Sequence, residues 1–469
     1  MSSTAKLSAR ERIETLLDDN SFVEIGALVT KRSTDFNLLQ SEAPGDGVIT
    51  GYGVIDNKPV YVYAQDASAL GGSIGEMHAR KITALYDSAM KVGAPVIGLI
   101  DCAGFRLQES TDALEGFGAI YTRQSLASGV IPQITAVYGN CGGGLSVLTA
   151  LSDFTFISKE GRLYVNAPNA IDDNYVGKCD TADAAFAAKA GIVDFVHDDE
   201  EASLNAIRKL VSFLPLNNED EVSTEMNDDL NRELETFDSN LKDIKPAITD
   251  LADQDDFLEI KADYAPDMII GLIKLNGSPV GVVANNDTVL TTKGCYKAEK
   301  FVRFCDAFDI PVVTITNVTG FASSMNEAGS IGIAAAKLSY AFADATVPKI
   351  NVIAGKAYGS AYITMNSKSL GADLVFALAD AEVGPMDADL AAQIVYADEI
   401  ESAGDKAAVR KEKAAEYKKK MLASENAAKR GYVDAIIEGS EVRKQLIYAL
   451  EMLYTKREDR PVRKHGSVL

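Results

Sequence analysis

The sequence predicts an α/β protein built from two tandem copies of one domain, because long segments of the first half recur in the second. The matched segments keep the same order: residues 51–64 with 271–284, 94–105 with 310–321, and 131–154 with 347–374. The separation between matched positions is nearly constant along the chain. That separation is far too long for a solenoid repeat, so it indicates a duplicated domain.

Each copy shows the same order of predicted elements. In the first copy, a β-branched and aromatic segment with Asp56-Asn57 as its turn predicts a β-hairpin. A helix follows over 75–91, and a buried strand over 95–101 ends in a loop that contains Gly104. Strands that alternate with helices are typical of an α/β sheet, whose ligands lie beyond the carboxyl ends of its strands.

The start of the chain and the junction between the copies carry their own signals. A capping box formed by Ser8 and Glu11 predicts a helix at the start. Residues 211–245 are polar, acidic and poor in branched apolar side chains, which predicts a surface linker rather than core. A chain of 469 residues suits two domains. We therefore expect an N-terminal domain over 1–235 and a C-terminal domain over 236–469.

Composition and charge exclude several classes of protein. The formal net charge of −22 opposes binding to nucleic acid. No apolar run is long enough to span a membrane and the first residues lack a signal-peptide pattern, so a cytoplasmic location is expected. The five cysteines are scattered and the three histidines lie far apart in sequence. This pattern favours neither a disulfide framework nor a zinc site, and no metal is expected.

Two glycine-bearing loops follow buried strands in each copy. They contain Ala103-Gly104-Phe105 and residues 141–144 in the first copy, and Thr319-Gly320-Phe321 and residues 358–361 in the second. The second loop of each pair leads into an apolar helical segment, so backbone N–H groups stay free near the positive end of a helix dipole. Two such N–H groups that converge on one point form an oxyanion hole. Alternatively, these glycines only serve tight turns and close packing of helix on sheet.

Several long motifs follow one another along the chain. They are ARERIETLLDDNSFVEIG (9–26), GDGVITGYGVIDNKPVYVYAQD (45–66), LGGSIGEMHARKI (70–82) and SGVIPQITAVYGNCGGG (128–144), then NVTGF, ATVPKINVIAGKAYGSAYITM and a terminal HG. In these motifs the chain resembles the biotin-dependent carboxyltransferase family. That family includes the β subunits of propionyl-CoA and related acyl-CoA carboxylases and the α subunits of sodium-pumping methylmalonyl-CoA and glutaconyl-CoA decarboxylases. The resemblance covers nearly the whole chain.

The resemblance implies two crotonase-like ββα-repeat domains of the ClpP/crotonase superfamily, each with an oxyanion hole. The first domain would hold the enolate oxygen of an acyl-CoA thioester, and the second the ureido oxygen of carboxybiotin. By position, the first hole would use Gly104, Phe105, Gly142 and Gly143, and the second Gly320, Phe321, Gly359 and Ser360. The implied reaction moves a carboxyl group between carboxybiotin and a short-chain acyl-CoA of the propionyl-CoA or methylmalonyl-CoA type. Both directions are open.

The resemblance also suggests contacts to the acyl-CoA. Arg80, Lys81 and Arg106 are candidates for binding the CoA phosphates, and solvation at the protein surface is the other interpretation. Ile363 matches a family position that lines the acyl pocket, which implies an apolar wall there.

The resemblance implies partners as well. The chain has no Met-Lys-Met biotinylation site, so biotin is expected on a separate biotin carboxyl carrier protein. A biotin carboxylase or a sodium-translocating membrane decarboxylase subunit would complete the complex. We expect a homohexamer assembled as a trimer of dimers, located in the cytoplasm or at the periphery of a membrane decarboxylase complex.

Two other functions stay open at this stage. A crotonase-type CoA hydratase or isomerase that acts without biotin would use Glu109 or Glu115 as its acid or base. A non-catalytic CoA-binding scaffold is suggested by Phe105, which replaces a small residue of the family beside the first hole. Asp194 is a second departure, since it replaces the family's usual histidine.

Overall fold

The structure is a computed structural model that describes residues 6–32, 43–172, 174, 179–224, 228–237 and 243–468. It divides into two compact units, Met1–Glu221 and Val222–Leu469. Each unit contains one eight-stranded sheet together with its helices, so the predicted α/β class is confirmed.

The first unit alternates strands and helices in the predicted order. Its strands are β1 (Val23–Ile25), β2 (Val48–Ile55), β3 (Lys58–Gln65), β4 (Val96–Cys102), β5 (Gln133–Gly142), β6 (Phe154–Ser158), β7 (Arg162–Tyr164) and β8 (Phe195–His197). Its helices are α1 (Ala9–Leu16), α2 (Glu76–Val92), α3 (Thr111–Ala127), α4 (Gly144–Ala150), α5 (Ala184–Lys189) and α6 (Glu200–Phe213).

The first sheet combines an antiparallel hairpin with a parallel remainder. Its strand order is β1-β2-β3-β4-β5-β6-β8, and β7 pairs with the end of β5. β1, β2 and β3 run antiparallel, whereas the pairs from β3 to β8 are parallel. The turn of the predicted hairpin lies at Asp56 and Asn57, with φ values of 48° and 67°. Positive φ at both turn residues matches the right-handed twist of the flanking strands.

The second unit repeats this plan and adds helices after its last long strand. Its strands are β9 (Leu258–Ile260), β10 (Met268–Leu275), β11 (Ser278–Asn285), β12 (Val289–Leu290), β13 (Val312–Val318), β14 (Gly320–Phe321), β15 (Lys349–Tyr358), β16 (Leu374–Leu378), β17 (Glu382–Gly384) and β18 (Ala435–Ile437). Its helices are α7 (Lys245–Leu251), α8 (Thr292–Ala307), α9 (Met325–Ala328), α10 (Ile331–Asp344), α11 (Gly359–Thr364), α12 (Ala388–Val395), α13 (Ala397–Ser402), α14 (Lys406–Tyr417), a π-helical turn (Lys418–Leu422), α15 (Ser424–Lys429) and α16 (Val442–Leu453).

The two sheets share their topology, which confirms the predicted duplication. The second sheet has the order β9-β10-β11-β13-β15-β16-β18, and β17 pairs with the end of β15, as β7 does with β5. The irregularity in strand register recurs as well. It lies between Ile100 and Cys102 in β4, and between Thr316 and Val318 in β13. These are matched positions of the two copies, so the bend that ends each central strand belongs to the repeated unit.

Apolar side chains of strands and helices form one core in each unit. In the first, Ile82 and Leu85 of α2 pack with Val96 and Ile100 of β4. In the second, the cluster includes Val282, Val313 and Val352 from three neighbouring strands together with Leu446 of α16. Burying such side chains is the main favourable term in folding, and it holds the carboxyl ends of the parallel strands in fixed positions.

The predicted capping box at the start of the chain is confirmed. Ser8 accepts a hydrogen bond from the Glu11 N–H and the Glu11 carboxylate accepts one from the Ser8 N–H. Arg12 on the same helix is buried and pairs with Glu200 at 2.7 Å. This pair attaches α1 to α6, because a guanidinium without a partner would be costly to bury.

The predicted surface linker over 211–245 is wrong in part. Val211 lies in α6 and is buried, and Leu234 and Phe237 belong to the core of the second unit. The prediction of a linker rests on the average composition of the segment, which is acidic and polar, so it misses isolated apolar side chains that are buried. Residues 228–235, which the predicted boundary gives to the first domain, therefore lie in the second unit. Residues 225–227 and 238–242 of this segment lie outside the described part of the chain.

Neither a metal cluster nor a membrane-spanning helix is found among the described residues. No group of three or more His, Cys, Asp or Glu side chains is placed to hold a metal ion. No helix in the described ranges has both the length and the apolar character that crossing a membrane requires.

Candidate active site

The first glycine loop is held in place by backbone hydrogen bonds on both sides of Phe105. The Ile74 N–H donates to Gly104 O at 2.9 Å, and the Arg106 N–H donates to Ile74 O at 2.8 Å. Because alternate residues of an extended chain face opposite ways, the Phe105 N–H points away from this partner segment. It donates to no acceptor among the described residues. The Gly104 N–H, by contrast, meets the Cys102 sulfur at 3.3 Å.

The loop after β13 repeats this arrangement. The Thr319 N–H donates to Thr288 O at 2.7 Å, and the Ala322 N–H donates to Leu290 O at 2.9 Å. In the first unit, the corresponding bond from Ala103 N–H to Gly71 O measures 2.9 Å. The alternation again directs the N–H of Phe321 away from its partner strand, β12. In each unit this loop therefore presents one outward-facing N–H, that of Phe105 in the first unit and that of Phe321 in the second.

A second pair of N–H donors lies where a parallel strand passes into a short helix. Gly143 and Gly359 have φ values of 62° and 61°, and each directly follows the last residue of its strand, β5 or β15. Glycine adopts a positive φ more readily than other residues, because it has no Cβ. The N–H groups that follow, of Gly144 and Ser360, have no acceptor within the described ranges, as expected for the first turn of a helix.

This geometry removes one expected donor of the first hole. The Gly143 N–H donates to Tyr164 O at 2.9 Å, so it is not available to a ligand. Gly142 is the last residue of β5 and pairs with Tyr164 of β7. The order of the residues predicted for the two holes pairs Gly142 with Gly359, which is off by one position. The matched conformations show that Gly143 corresponds to Gly359 and Gly144 to Ser360.

Aromatic side chains outside the predicted set of site residues support these helix starts. The Tyr121 hydroxyl of α3 donates to Gly144 O. In the second unit, the Tyr358 hydroxyl donates to Glu382, which also pairs with Lys418 at 2.7 Å. Burial, together with the hydrogen bond to Glu382, raises the pKa of Tyr358 well above the ordinary tyrosine value. The role of these tyrosines could not be predicted from the sequence, because their partners are distant along the chain or are backbone atoms.

Apolar side chains flank the free N–H groups. Phe105 is 43% exposed, so its ring is not part of the core. Ile363 on α11 is 39% exposed, and the equivalent residue of α4, Val147, is 43% exposed. Ile363 lies three residues after Ser360 in the same helix, and part of its side chain is open to solvent.

Two of the three cations expected to bind CoA phosphates are engaged elsewhere. Lys81 is buried, and its ammonium donates to Gly45 O at 3.0 Å and to Val48 O. Arg106 is only 2% exposed and forms ion pairs inside the first unit. The expectation for Lys81 and Arg106 is corrected, because neither can meet a phosphate without leaving a buried partner unpaired. Arg80 is exposed and pairs with Glu76 at 2.8 Å.

The two carboxylates suggested for a hydratase differ in their surroundings. Glu109 is buried; it accepts a hydrogen bond from the Glu76 N–H at 2.6 Å and pairs with Arg106 at 2.7 Å. It therefore caps the start of α2 and is not a free acid or base. Glu115 is exposed on α3. Asp194, which departs from the family pattern, accepts from the Thr155 N–H at 2.7 Å and is buried.

Comparison with known proteins gives consistent matches over the whole chain. The family described as the carboxyl transferase domain matches residues 2–468. The methylmalonyl-CoA decarboxylase subunit alpha of Propionigenium modestum is 40% identical, covering 99% of this chain and 93% of that protein. A putative propionyl-CoA carboxylase beta chain of Bacillus subtilis is 42% identical, with 99% and 94% covered.

A solved structure agrees with these relatives. The transcarboxylase 12S crystal structure, a hexamer with methylmalonyl-coenzyme A and methylmalonic acid bound, superimposes with a TM-score of 0.95. It is 36% identical in sequence, and the match covers 99% of this chain and 92% of that one.

Proposed function

Because the chain belongs to the carboxyl transferase family, we propose that it transfers a carboxyl group between biotin and a short-chain acyl-CoA of the propionyl-CoA or methylmalonyl-CoA type. The observation that carries the proposal is the pair of outward-facing backbone N–H groups found at equivalent places in both units. Such groups stabilise negative charge on an oxygen atom. The reaction develops such charge twice, once on the thioester and once on the ureido group.

On the acyl-CoA side, we assign the donors to the N–H groups of Phe105 and Gly144. Loss of a carboxyl group or a proton from the α-carbon places negative charge on the thioester oxygen. Donors that are fixed before the reaction stabilise this charge more than they stabilise the neutral thioester, which lowers the barrier. Tyr121 supports the donor at Gly144 through its hydrogen bond to the Gly144 carbonyl.

On the biotin side, we assign the donors to the N–H groups of Phe321 and Ser360. Neutral backbone donors suit a ureido oxygen, which is a neutral acceptor that gains negative charge during the reaction. When bound on its carrier, biotin supplies the nitrogen that exchanges the carboxyl group and a proton. The chain's own part is to hold the ureido oxygen and to keep the two reacting groups oriented.

The alternatives draw less support from the same residues. A biotin-independent hydratase needs a free acid or base near the thioester, and Glu109 is occupied as a helix cap and ion-pair partner. A non-catalytic scaffold would be favoured if Phe105 closed the first loop. Phe105 is instead 43% exposed, and its N–H has no acceptor in the described part of the chain.

We assign substrate contacts only to groups that are exposed. Arg80 remains a candidate for a CoA phosphate, since its partner Glu76 is itself partly exposed and such surface pairs cost little to exchange. Ile363 is proposed as an apolar wall for the acyl group, which suits the methyl branch of methylmalonyl-CoA. Both assignments concern the same proposed reaction.

Partners are proposed from the relatives, which are named as subunits of decarboxylases and carboxylases. We propose that biotin arrives on a separate biotin carboxyl carrier protein. A biotin carboxylase or a sodium-translocating membrane subunit would then complete the complex. The hexamer of transcarboxylase 12S suggests the same assembly here, as a trimer of dimers.

The test is carboxyl transfer by the purified full-length chain. With methylmalonyl-CoA and free biotin, we expect propionyl-CoA and carboxybiotin to appear in equal amounts, measured by liquid chromatography and mass spectrometry. Omitting biotin should reduce propionyl-CoA formation to the background rate. Crotonyl-CoA hydration without biotin would favour a hydratase instead. Failure to transfer a carboxyl group from methylmalonyl-CoA or glutaconyl-CoA to free biotin, and from carboxybiotin to acetyl-, propionyl- or butyryl-CoA, would exclude the proposal.

A further inference from the structure

A buried charge cluster lies directly beside the first glycine loop. Its centre is Arg106, whose guanidinium forms ion pairs with Asp46 at 2.6 Å and Glu109 at 2.7 Å. The same guanidinium donates to Ser73 O at 2.8 Å and contacts Ser73 Oγ at 3.3 Å. All of these groups are buried, so the side chain is fixed from several directions.

The cluster connects three segments of the first unit. Asp46 accepts a hydrogen bond from the His78 N–H at 2.8 Å, and the His78 ring lies 2.9 Å from Asp46 O. Burial lowers the pKa of His78 to about 3, so the ring is neutral and donates to that carbonyl. Glu109 accepts from the Glu76 N–H at the start of α2. The segment before β2, the first turns of α2 and the loop after β4 are therefore held as one assembly.

The cluster acts on the two residues that orient the Phe105 N–H. Arg106 follows Phe105 in the chain, and Ser73 precedes Ile74, whose backbone bonds to Gly104 O and Arg106 N–H. The contacts of the Arg106 guanidinium with Ser73 thus hold the segment that follows Phe105 against the neighbouring segment that contains Ile74. Rotation of the peptide that carries the Phe105 N–H would require both edges to move.

The second unit repeats the helix cap but has no arginine at this place. Glu327 accepts from the Thr292 N–H at 2.6 Å, as Glu109 does from the Glu76 N–H. The residue that follows Phe321, and so corresponds to Arg106, is Ala322. The capping carboxylate is therefore common to both units, whereas the arginine is specific to the unit assigned to the acyl-CoA.

We propose that Arg106 is a positioning residue for the acyl-CoA half of the reaction, acting through the peptide that carries the Phe105 N–H. This inference rests on the proposed function. It replaces a role in binding CoA phosphate with one in orienting the donor to the thioester oxygen. A misplacement of about 1 Å in such a donor lowers turnover by about a hundredfold.

The test compares Arg106→Gln with Arg123→Gln in the full-length chain. Arg123 also pairs with a carboxylate, Asp87 at 3.0 Å, and joins α3 to α2, but both side chains are partly exposed. We expect Arg106→Gln to lower kcat for methylmalonyl-CoA by about a hundredfold, with KM within about threefold. Exchange of backbone hydrogens in the peptide 103–110 should accelerate, and breakdown of free carboxybiotin should change little. Arg123→Gln should match the wild-type chain in all four measurements.

Two results would overturn the inference: an unchanged kcat, or equal loss of both half-reactions. An unchanged kcat together with a raised KM would restore a phosphate-binding role. If Arg106→Gln does not fold, Glu109→Gln carries the same test, because it keeps the arginine and a cap oxygen but removes one charge. Inactivity of the wild-type chain would instead refute the proposed function, and the hydrogen exchange of 103–110 would still report on the positioning role.

Discussion

The proposed chemistry depends on backbone N–H groups, so the identity of most side chains at the site matters less than the path of the chain. Phe105 and Phe321 have the same side chain at equivalent places, yet the groups assigned to the reaction are their N–H groups. Gly143 and Gly359 are the exceptions, because their positive φ turns the chain so that the next N–H is free. A residue-scale test must therefore remove an N–H without removing a side chain that packs.

Ser360 offers that test, because its side chain is exposed and it lies in the first turn of α11. Proline is tolerated at the first helical positions and has no N–H. We expect Ser360→Pro to lower the rate of carboxyl transfer by about 10² to 10³-fold, with the midpoint of thermal unfolding nearly unchanged. Ser360→Ala keeps the N–H and is the matched control. Equal rates for the two variants would contradict the assignment of this donor.

At the scale of elements, the duplication preserves the supports of each loop as well as the loop itself. Both units fasten the helix after the hairpin with a buried lysine at matched positions, Lys81 on α2 and Lys297 on α8. The Lys81 ammonium donates to Gly45 O before the hairpin and to Val48 O at its first residue, and the Lys297 ammonium donates to two carbonyls before the second hairpin. A buried cation of this kind makes the stability of its helix depend on pH.

Lys297 provides the pH-dependent prediction. Burial lowers the pKa of Lys297 to about 8, against the ordinary lysine value of 10.5. Between these values the unfolded chain binds a proton that the folded chain does not, so the stability of the folded chain rises with pH in this window. We expect the midpoint of thermal unfolding of the wild-type chain, relative to Lys297→Met, to rise between about pH 8 and pH 10.

Lys300→Met is the control for this prediction, because Lys300 is exposed on the same helix. Its difference from the wild-type chain should be the same at both pH values. If the difference between wild type and Lys297→Met is flat or falls as the pH rises, Lys297 is not a buried cation that loses its proton in this range.

At the scale of the whole molecule, each unit supplies one pair of donors, and the proposed reaction needs both pairs. A relative with a solved structure is a hexamer, and this chain exposes apolar side chains beside its free N–H groups. Phe105, Val147 and Ile363 are each between 39% and 43% exposed. Apolar side chains beside polar donors are typical of binding surfaces.

We expect the purified protein to have six times the mass of the 50.1 kDa chain, as measured by light scattering after size exclusion. Dilution that dissociates the hexamer should abolish transfer between methylmalonyl-CoA and free biotin, and restoring the concentration should restore it. A stable monomer with full transfer activity would contradict the proposed assembly.

The duplication, the hairpin at Asp56-Asn57, the capping box at Ser8 and the family could all be predicted from the amino-acid order alone. Repeats, turn residues and caps are local or recurrent, so they can be read along the chain. Which N–H groups are free could be seen only in the folded chain, because that depends on partners far away in sequence. The hydrogen bond to Tyr164 O excludes the Gly143 N–H as a donor and leaves that of Gly144. The packing of the chain also places Lys81 and Arg106 inside the fold. The sequence near a glycine loop is the same whether a charged side chain there faces a phosphate or a buried carboxylate. Only the packing of distant segments distinguishes the two.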